Sequence, residues 1–217
     1  MTSVTRHTEL VGQPGRARQA GRTRVVAVDG RSGAGKTSLA AALAAALRAP
    51  VVTLEDLYGG WDGLEHGIDL LVAEVLQPLA AGRTARVPRY DWARGEWAEP
   101  WTLAPPGLLI VEGVGAGARR AARYESALIW LEETAAVRRR RALDRDGGTF
   151  APYWDRWAAQ EDALLEREHT RDRAGLVLRG EPDAAAVTAW LRGQMSSSGS
   201  NPMTERAASV TEPDSDG

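Results

Sequence analysis

Arg24-Val25-Val26-Ala27-Val28-Asp29, followed by Gly30-Arg31-Ser32-Gly33-Ala34-Gly35-Lys36-Thr37, decides how this chain folds. The first six residues form an unbroken apolar run ending in a carboxylate, the pattern of a strand buried on both faces. The next eight match G-x-x-x-x-G-K-[ST] at every required position. Leu39, Leu43 and Leu47 then recur on one stripe, which predicts a helix from Lys36 to about Arg48. Strand, glycine-rich turn and helix N-terminus together are what phosphate chemistry demands. The glycines let backbone N–H groups converge on phosphate oxygens, and the helix end adds favourable partial charge. This assigns Gly30, Arg31, Ser32, Gly33, Ala34, Gly35, Lys36, Thr37 and Ser38 to a nucleotide's phosphates. Lys36 reaches the β- and γ-phosphates, and Thr37 ligates Mg²⁺.

Lys36 stands out in the composition as well. Of 27 basic residues it is the single lysine; the others are arginine. A compact ammonium on a flexible stem does what a planar guanidinium cannot. The same count excludes the guanine-reading Asn-Lys-x-Asp motif of signalling GTPases. There is no cysteine, which removes disulfides and thiolate chemistry and suits a cytoplasmic protein. A net charge of −2 argues against a nucleic-acid or membrane partner, and no apolar run approaches membrane-spanning length.

Outward from the loop, apolar strands alternate with helical patterns. Strands are expected at Val51–Leu54, Leu108–Val111, Ala127–Leu131 and Gly175–Leu178. Helices are expected at about Gly67–Ala81, Thr134–Asp144, Pro152–Glu168 and Asp183–Leu191. Arg86 to Trp101, with its Pro, Gly and aromatic residues, reads as a hairpin outside the main sheet. The expected fold is an α/β three-layer sandwich of the P-loop NTPase type, with a parallel sheet of about five strands, a lid helix and a small hairpin excursion. It occupies residues 23–194, between a polar arm (1–22) and a Ser/Gly/Pro/Asp-rich tail (195–217), both expected to be disordered.

Five short blocks, in order and spacing between about Arg24 and Gly180, make the chain resemble the uridine kinase and phosphoribulokinase branch of P-loop kinases. The phosphate loop is the anchor. Leu54-Glu55-Asp56-Leu57-Tyr58 resembles the family block whose carboxylate takes the proton from the substrate hydroxyl. The resemblance implies Asp56 as that base, with Glu55 one alignment step away. Trp61-Asp62-Gly63 implies that Asp62 accepts hydrogen bonds from a sugar diol; a turn role for Asp62 stays open. Val87-Pro88-Arg89-Tyr90-Asp91-Trp92 is similar to the segment lining the nucleoside base, implying Tyr90 and Trp92 as substrate contacts. The histidine that follows it in nucleoside kinases is missing here. Trp97 and Trp101 either join an aromatic wall or pack the hairpin.

Leu109-Ile110-Val111-Glu112-Gly113 ends a buried strand on a carboxylate, the position of a Mg²⁺-holding acid. Arg138 to Gly147 resembles the family's lid (about 138–150). Arg138, Arg141 and Arg145, which share a helical face, are implied to neutralise phosphoryl charge. Trp154 and Trp157 read as packing residues. The resemblance thus implies an enzyme that moves the γ-phosphoryl group of ATP, with Mg²⁺, to a hydroxyl of a small molecule, foremost a nucleoside. A vitamin precursor or sugar phosphate as acceptor, or an ATP-binding regulatory protein without catalysis, are the alternatives. The oligomeric state is not legible.

Overall fold

The computed structural model describes residues 23–146, 148 and 150–197. The chain runs β1 (Arg24–Gly30), α1 (Lys36–Leu47), β2 (Val51–Thr53) and a 3-10 turn (Leu54–Leu57). It continues through α2 (Leu64–Leu70), a π-helical segment (Leu71–Leu76), α3 (Gln77–Ala80), and strands β3 (Ala85–Asp91), β4 (Glu96–Leu103), β5 (Leu108–Glu112) and β6 (Ala127–Glu132). The remaining elements are α4 (Ala135–Asp146), a 3-10 turn (Ala151–Tyr153), α5 (Trp154–Glu168), α6 (Thr170–Arg173), β7 (Leu176–Arg179) and α7 (Ala184–Ser197).

Five strands form one sheet in the order β2-β5-β1-β6-β7, and every pairing is parallel. Alternate residues of the central strand β1 serve opposite layers. Val25 and Ala27 join Leu109 and Val111 in a core closed by Ile68, Leu71, Val75 and Leu164. Val26 and Val28 join Ile110, Ile129 and Leu131 under Leu39 and Leu43 of α1 and Val187 and Leu191 of α7. This two-sided burial is why the strands read as continuous apolar runs rather than alternating ones. The expected three-layer sandwich is what the chain forms.

The hairpin is present as β3 and β4, an antiparallel pair with a register shift between Val87 and Arg89. It packs on the π-helical segment and on the 3-10 turn after β2. The expected helix at Gly67–Ala81 starts earlier, at Leu64, and widens to π geometry at Leu71–Leu76. Apolar spacing does not separate i→i+4 from i→i+5 bonding over six residues. Leu54 belongs to the 3-10 turn rather than to β2. The last helix continues to Ser197, three residues into the stretch read as tail. The arm at 1–22 and the rest of that tail lie outside the described residues, as do two positions, 147 and 149, of the expected lid. No helix among the described residues is long and apolar enough to cross a membrane.

Candidate active site

The site forms at the carboxyl ends of β1, β2 and β5, where open parallel sheets bind ligands. Gly30, Gly33 and Gly35 all have positive φ, at 146°, 78° and 99°. Gly33 could not be anything else. A Cβ there would sit 2.2 Å from the carbonyl oxygen of Arg138 in α4. Helix α1 opens at Lys36 with Gly35 as its cap, without a side-chain cap or an acidic residue in its first turn. Its positive end is therefore left facing the loop. Lys36 is buried, and its Nζ donates to the Arg31 carbonyl at 3.0 Å, spanning the loop.

Beneath the loop lies Asp29, fully buried. One carboxylate oxygen accepts the Gly30 and Gly115 N–H groups at 2.6 and 3.0 Å, and the other accepts that of Gly117 at 2.9 Å. It thereby ties the base of the phosphate loop to the turn after β5. Burial pushes its carboxyl up to about 6, against the pull of those N–H groups and of Lys36. The position directly before Gly30 was a signal, but strand hydrophobicity masked it.

A cavity of about 310 Å³ opens on the loop. One end is lined by Ser32, Gly33, Gly35, Lys36, Thr37 and Ser38. The Thr37 hydroxyl lies 3.4 Å from Glu112 Oε1, so the two expected Mg²⁺ oxygens converge. They are hard donors of the kind Mg²⁺ takes, one carboxylate and one hydroxyl beside phosphate. Among the described residues no cluster of three His, Asp or Glu forms a metal cage. That donor set fits an ion held largely by the nucleotide and water rather than by the protein alone.

The other end is aromatic: Tyr58, Trp61, Trp92, Phe150 and Trp157 line it. Trp61 is the centre of this group. Its ring stacks with Tyr153 (4.7 Å, 9°) and Phe150 (5.1 Å, 16°), is tilted against Trp92 at 4.8 Å, and stands edge-on to Trp157 at 6.4 Å. Trp157 is thus more than the packing residue expected, because its Nε1 donates to Ser32 Oγ at 2.9 Å and to Glu161 Oε1 at 3.0 Å. Glu161, buried one turn further along α5, also accepts the Ser32 N–H at 2.8 Å and Arg31 Nε at 3.0 Å. Trp61, Phe150, Trp157 and Glu161 were not legible as a group. They come from three segments with no shared motif; only the i, i+4 spacing of Trp157 and Glu161 marked a common helix face.

The expected substrate and base residues separate. Glu55 lines the cavity, 3.7 Å from Arg145, whereas Asp56 stands to the side near Arg89. Burial raises the Asp56 carboxyl above its ordinary range, with Arg89 opposing. Asp62 points outward. Its side chain is 66% exposed and ion-paired with Arg156. Tyr90 packs edge-on between Trp92 and Trp97 and does not join the cavity wall, whereas Trp92 does and also donates to the Glu55 carbonyl at 3.0 Å. The lid arginines divide too. Arg141 and Arg145 line the cavity, but Arg138 is buried and donates to the Ser32 carbonyl at 3.1 Å. Arg31 and Arg138 instead border a second cavity of about 450 Å³, formed with Trp130–Thr134 and with Arg179 and Gly180 after β7.

No protein-family model matches the chain. A curated relative, the bifunctional pantoate ligase/cytidylate kinase of Synechococcus sp. (strain JA-3-3Ab), is 34% identical over 140 residues. The match covers 59% of this chain, which spans only 23% of that relative's length. The solved structure of a possible uridine kinase from Bacillus stearothermophilus superposes with a TM-score of 0.55 at 21% identity, covering 74% of this chain and 90% of that one. Sheet order, glycine-rich loop and this superposition agree: the chain has the P-loop NTPase fold, in the form also seen in that kinase-like structure.

Proposed function

We propose that this protein is an ATP-dependent kinase that phosphorylates a hydroxyl of a small, ring-bearing molecule of the nucleoside type. The observation that carries this reading is the single cavity with a phosphate-binding loop at one end and an aromatic wall at the other. The aromatic end beside the loop leaves room for a ring-bearing acceptor in addition to the triphosphate.

In this reading the triphosphate would lie along Gly33–Ser38. Thr37 and Glu112 would hold Mg²⁺, which would supply charge neutralisation at the phosphates. The acceptor's hydroxyl oxygen bonds to the γ-phosphorus as the bond to the β,γ-bridging oxygen breaks, releasing ADP. Its proton passes to Glu55, the wall carboxylate not assigned to Mg²⁺, in preference to Asp56. Lys36, Arg141 and Arg145 stabilise the charge that develops, and Arg138 holds the loop from behind. Such a kinase would work on soluble metabolites in the cytoplasm.

Acceptor-dependent release of ADP from ATP and Mg²⁺, across a panel of nucleosides, vitamin precursors and sugar phosphates, tests the reading. A proper acceptor raises release well above background. Replacing Glu55 with Gln then lowers kcat about 10²–10⁴-fold, the usual contribution of a positioned base, with Asp56→Asn much milder. If no acceptor raises ADP release, the protein is a nucleotide-binding module instead.

A further inference from the structure

The wall of the acceptor end carries more information than the class of reaction. Once the loop side chains, Glu112, Arg141 and Arg145 are assigned to phosphate and Mg²⁺, Glu55 is, among the described residues, the lining residue left with a carboxylate. Among the described residues, Trp61 Nε1 adds a single donor that cannot accept from a hydroxyl, and three other side-chain polar groups there already have partners. The Tyr58 hydroxyl donates to the Val114 carbonyl at 2.9 Å, Trp92 Nε1 to the Glu55 carbonyl, and Trp157 Nε1 to Ser32 and Glu161. One carboxylate that must take the reacting proton cannot also clamp a vicinal diol. The residue expected to do so, Asp62, is turned outward onto Arg156, with Trp61 rather than Asp62 entering the wall.

We infer that the acceptor is selected by its flat ring and one reactive hydroxyl, and that a sugar diol is not read. Resting on the kinase reading above, this makes the substrate class aromatic or heteroaromatic alcohols, deoxygenated nucleosides included. The physical distinction is large. A site built to bond a hydroxyl rejects the analogue lacking it by about 10⁴-fold, whereas a stacking wall is nearly indifferent. Ring stacking, by contrast, is directional and serves any flat face.

The test uses the full chain loaded with Mg²⁺ and the β,γ-imido analogue of ATP, titrated calorimetrically with uridine, 2′,3′-dideoxyuridine, a hydroxymethylpyridine and ribose. Uridine and its dideoxy form are expected to bind within about threefold of each other, with ribose at least about thirtyfold weaker. Asp62→Asn, an exposed change that leaves folding intact, is expected to alter neither ring affinity. The inference is overturned if uridine exceeds the dideoxy form by about a hundredfold or more and Asp62→Asn erases that gap. It is equally overturned if none of the ring compounds binds to protein that has taken up the ATP analogue. Failure of the analogue itself to bind is a different result, and removes the kinase reading first.

Discussion

The two ends of the main cavity are built in opposite ways. The loop end draws on one short stretch, Ser32 to Ser38, whose backbone angles and spacing do the work. The aromatic end gathers Tyr58, Trp61, Trp92, Phe150 and Trp157 from the segments after β2, the hairpin, and the stretch from Phe150 into α5. Local chemistry dictates the first, because backbone N–H groups are positioned by glycines within the same turn. Packing dictates the second, because rings separated by tens of residues meet only when the hairpin and α5 close over the sheet. Trp157 and Glu161 join the two ends, since the same helix supplies an aromatic wall residue and the carboxylate on the Ser32 N–H.

The contrast is sharpest under mutation. Lys36→Ala strikes the phosphate end, and by analogy with losing one preorganised donor it raises the barrier by about 3–4 kcal/mol. Steady-state ADP release should show this as a fall in kcat with little change in melting temperature. An enzyme keeping near-full turnover would mean that the ammonium is not part of the charge stabilisation.

Somewhat smaller is the effect of Asp29 below the loop. Its folded carboxyl titrates at about 6 against an ordinary 3.8, so the folded state binds the proton more tightly than the unfolded one. Stability from this group is fully present below pH 4, declines as pH rises toward 6 and is flat above. The full excursion is about 3 kcal/mol at 1.36 kcal/mol for each pH unit. Urea midpoints measured between pH 4 and 7 should fall in the wild type, and Asp29→Asn should lack that component. Identical slopes in both would place the coupling elsewhere.

The aromatic end should respond least to any one change, because several rings share the contact. Trp92→Ala is expected to weaken ring-bearing ligands by about 1–2 kcal/mol while Mg²⁺·ATP affinity holds. A matching loss of nucleotide affinity would show that the two ends are not separable.

Much of this molecule was legible from its residues alone. The five apolar runs announce a parallel sheet because burial on both faces removes the need for alternation, and Leu108–Glu112 and Ala127–Glu132 lie within one residue of where they were expected. The glycine-rich turn and the approach of Thr37 to Glu112 were legible because each lies at a strand end or helix start, where chain direction fixes placement. Neither the choice between Glu55 and Asp56 nor the fate of Asp62 could be read that way. Adjacent residues in a tight turn point in different directions, and the π-helical widening after α2 leaves no sequence signature. The lid arginines illustrate the same limit: positions 138, 141 and 145 share a helix face, but only the docking of α4 against Gly33 turns Arg138 onto the loop backbone while Arg141 and Arg145 reach the cavity.

What the sequence by itself determined is the sheet and the glycine-rich turn before α1, since these depend on interactions within a few residues or on strand burial. Which carboxylate lines the cavity beside the rings, and which rings these are, only the tertiary structure decided, because those contacts exist only once distant segments pack together.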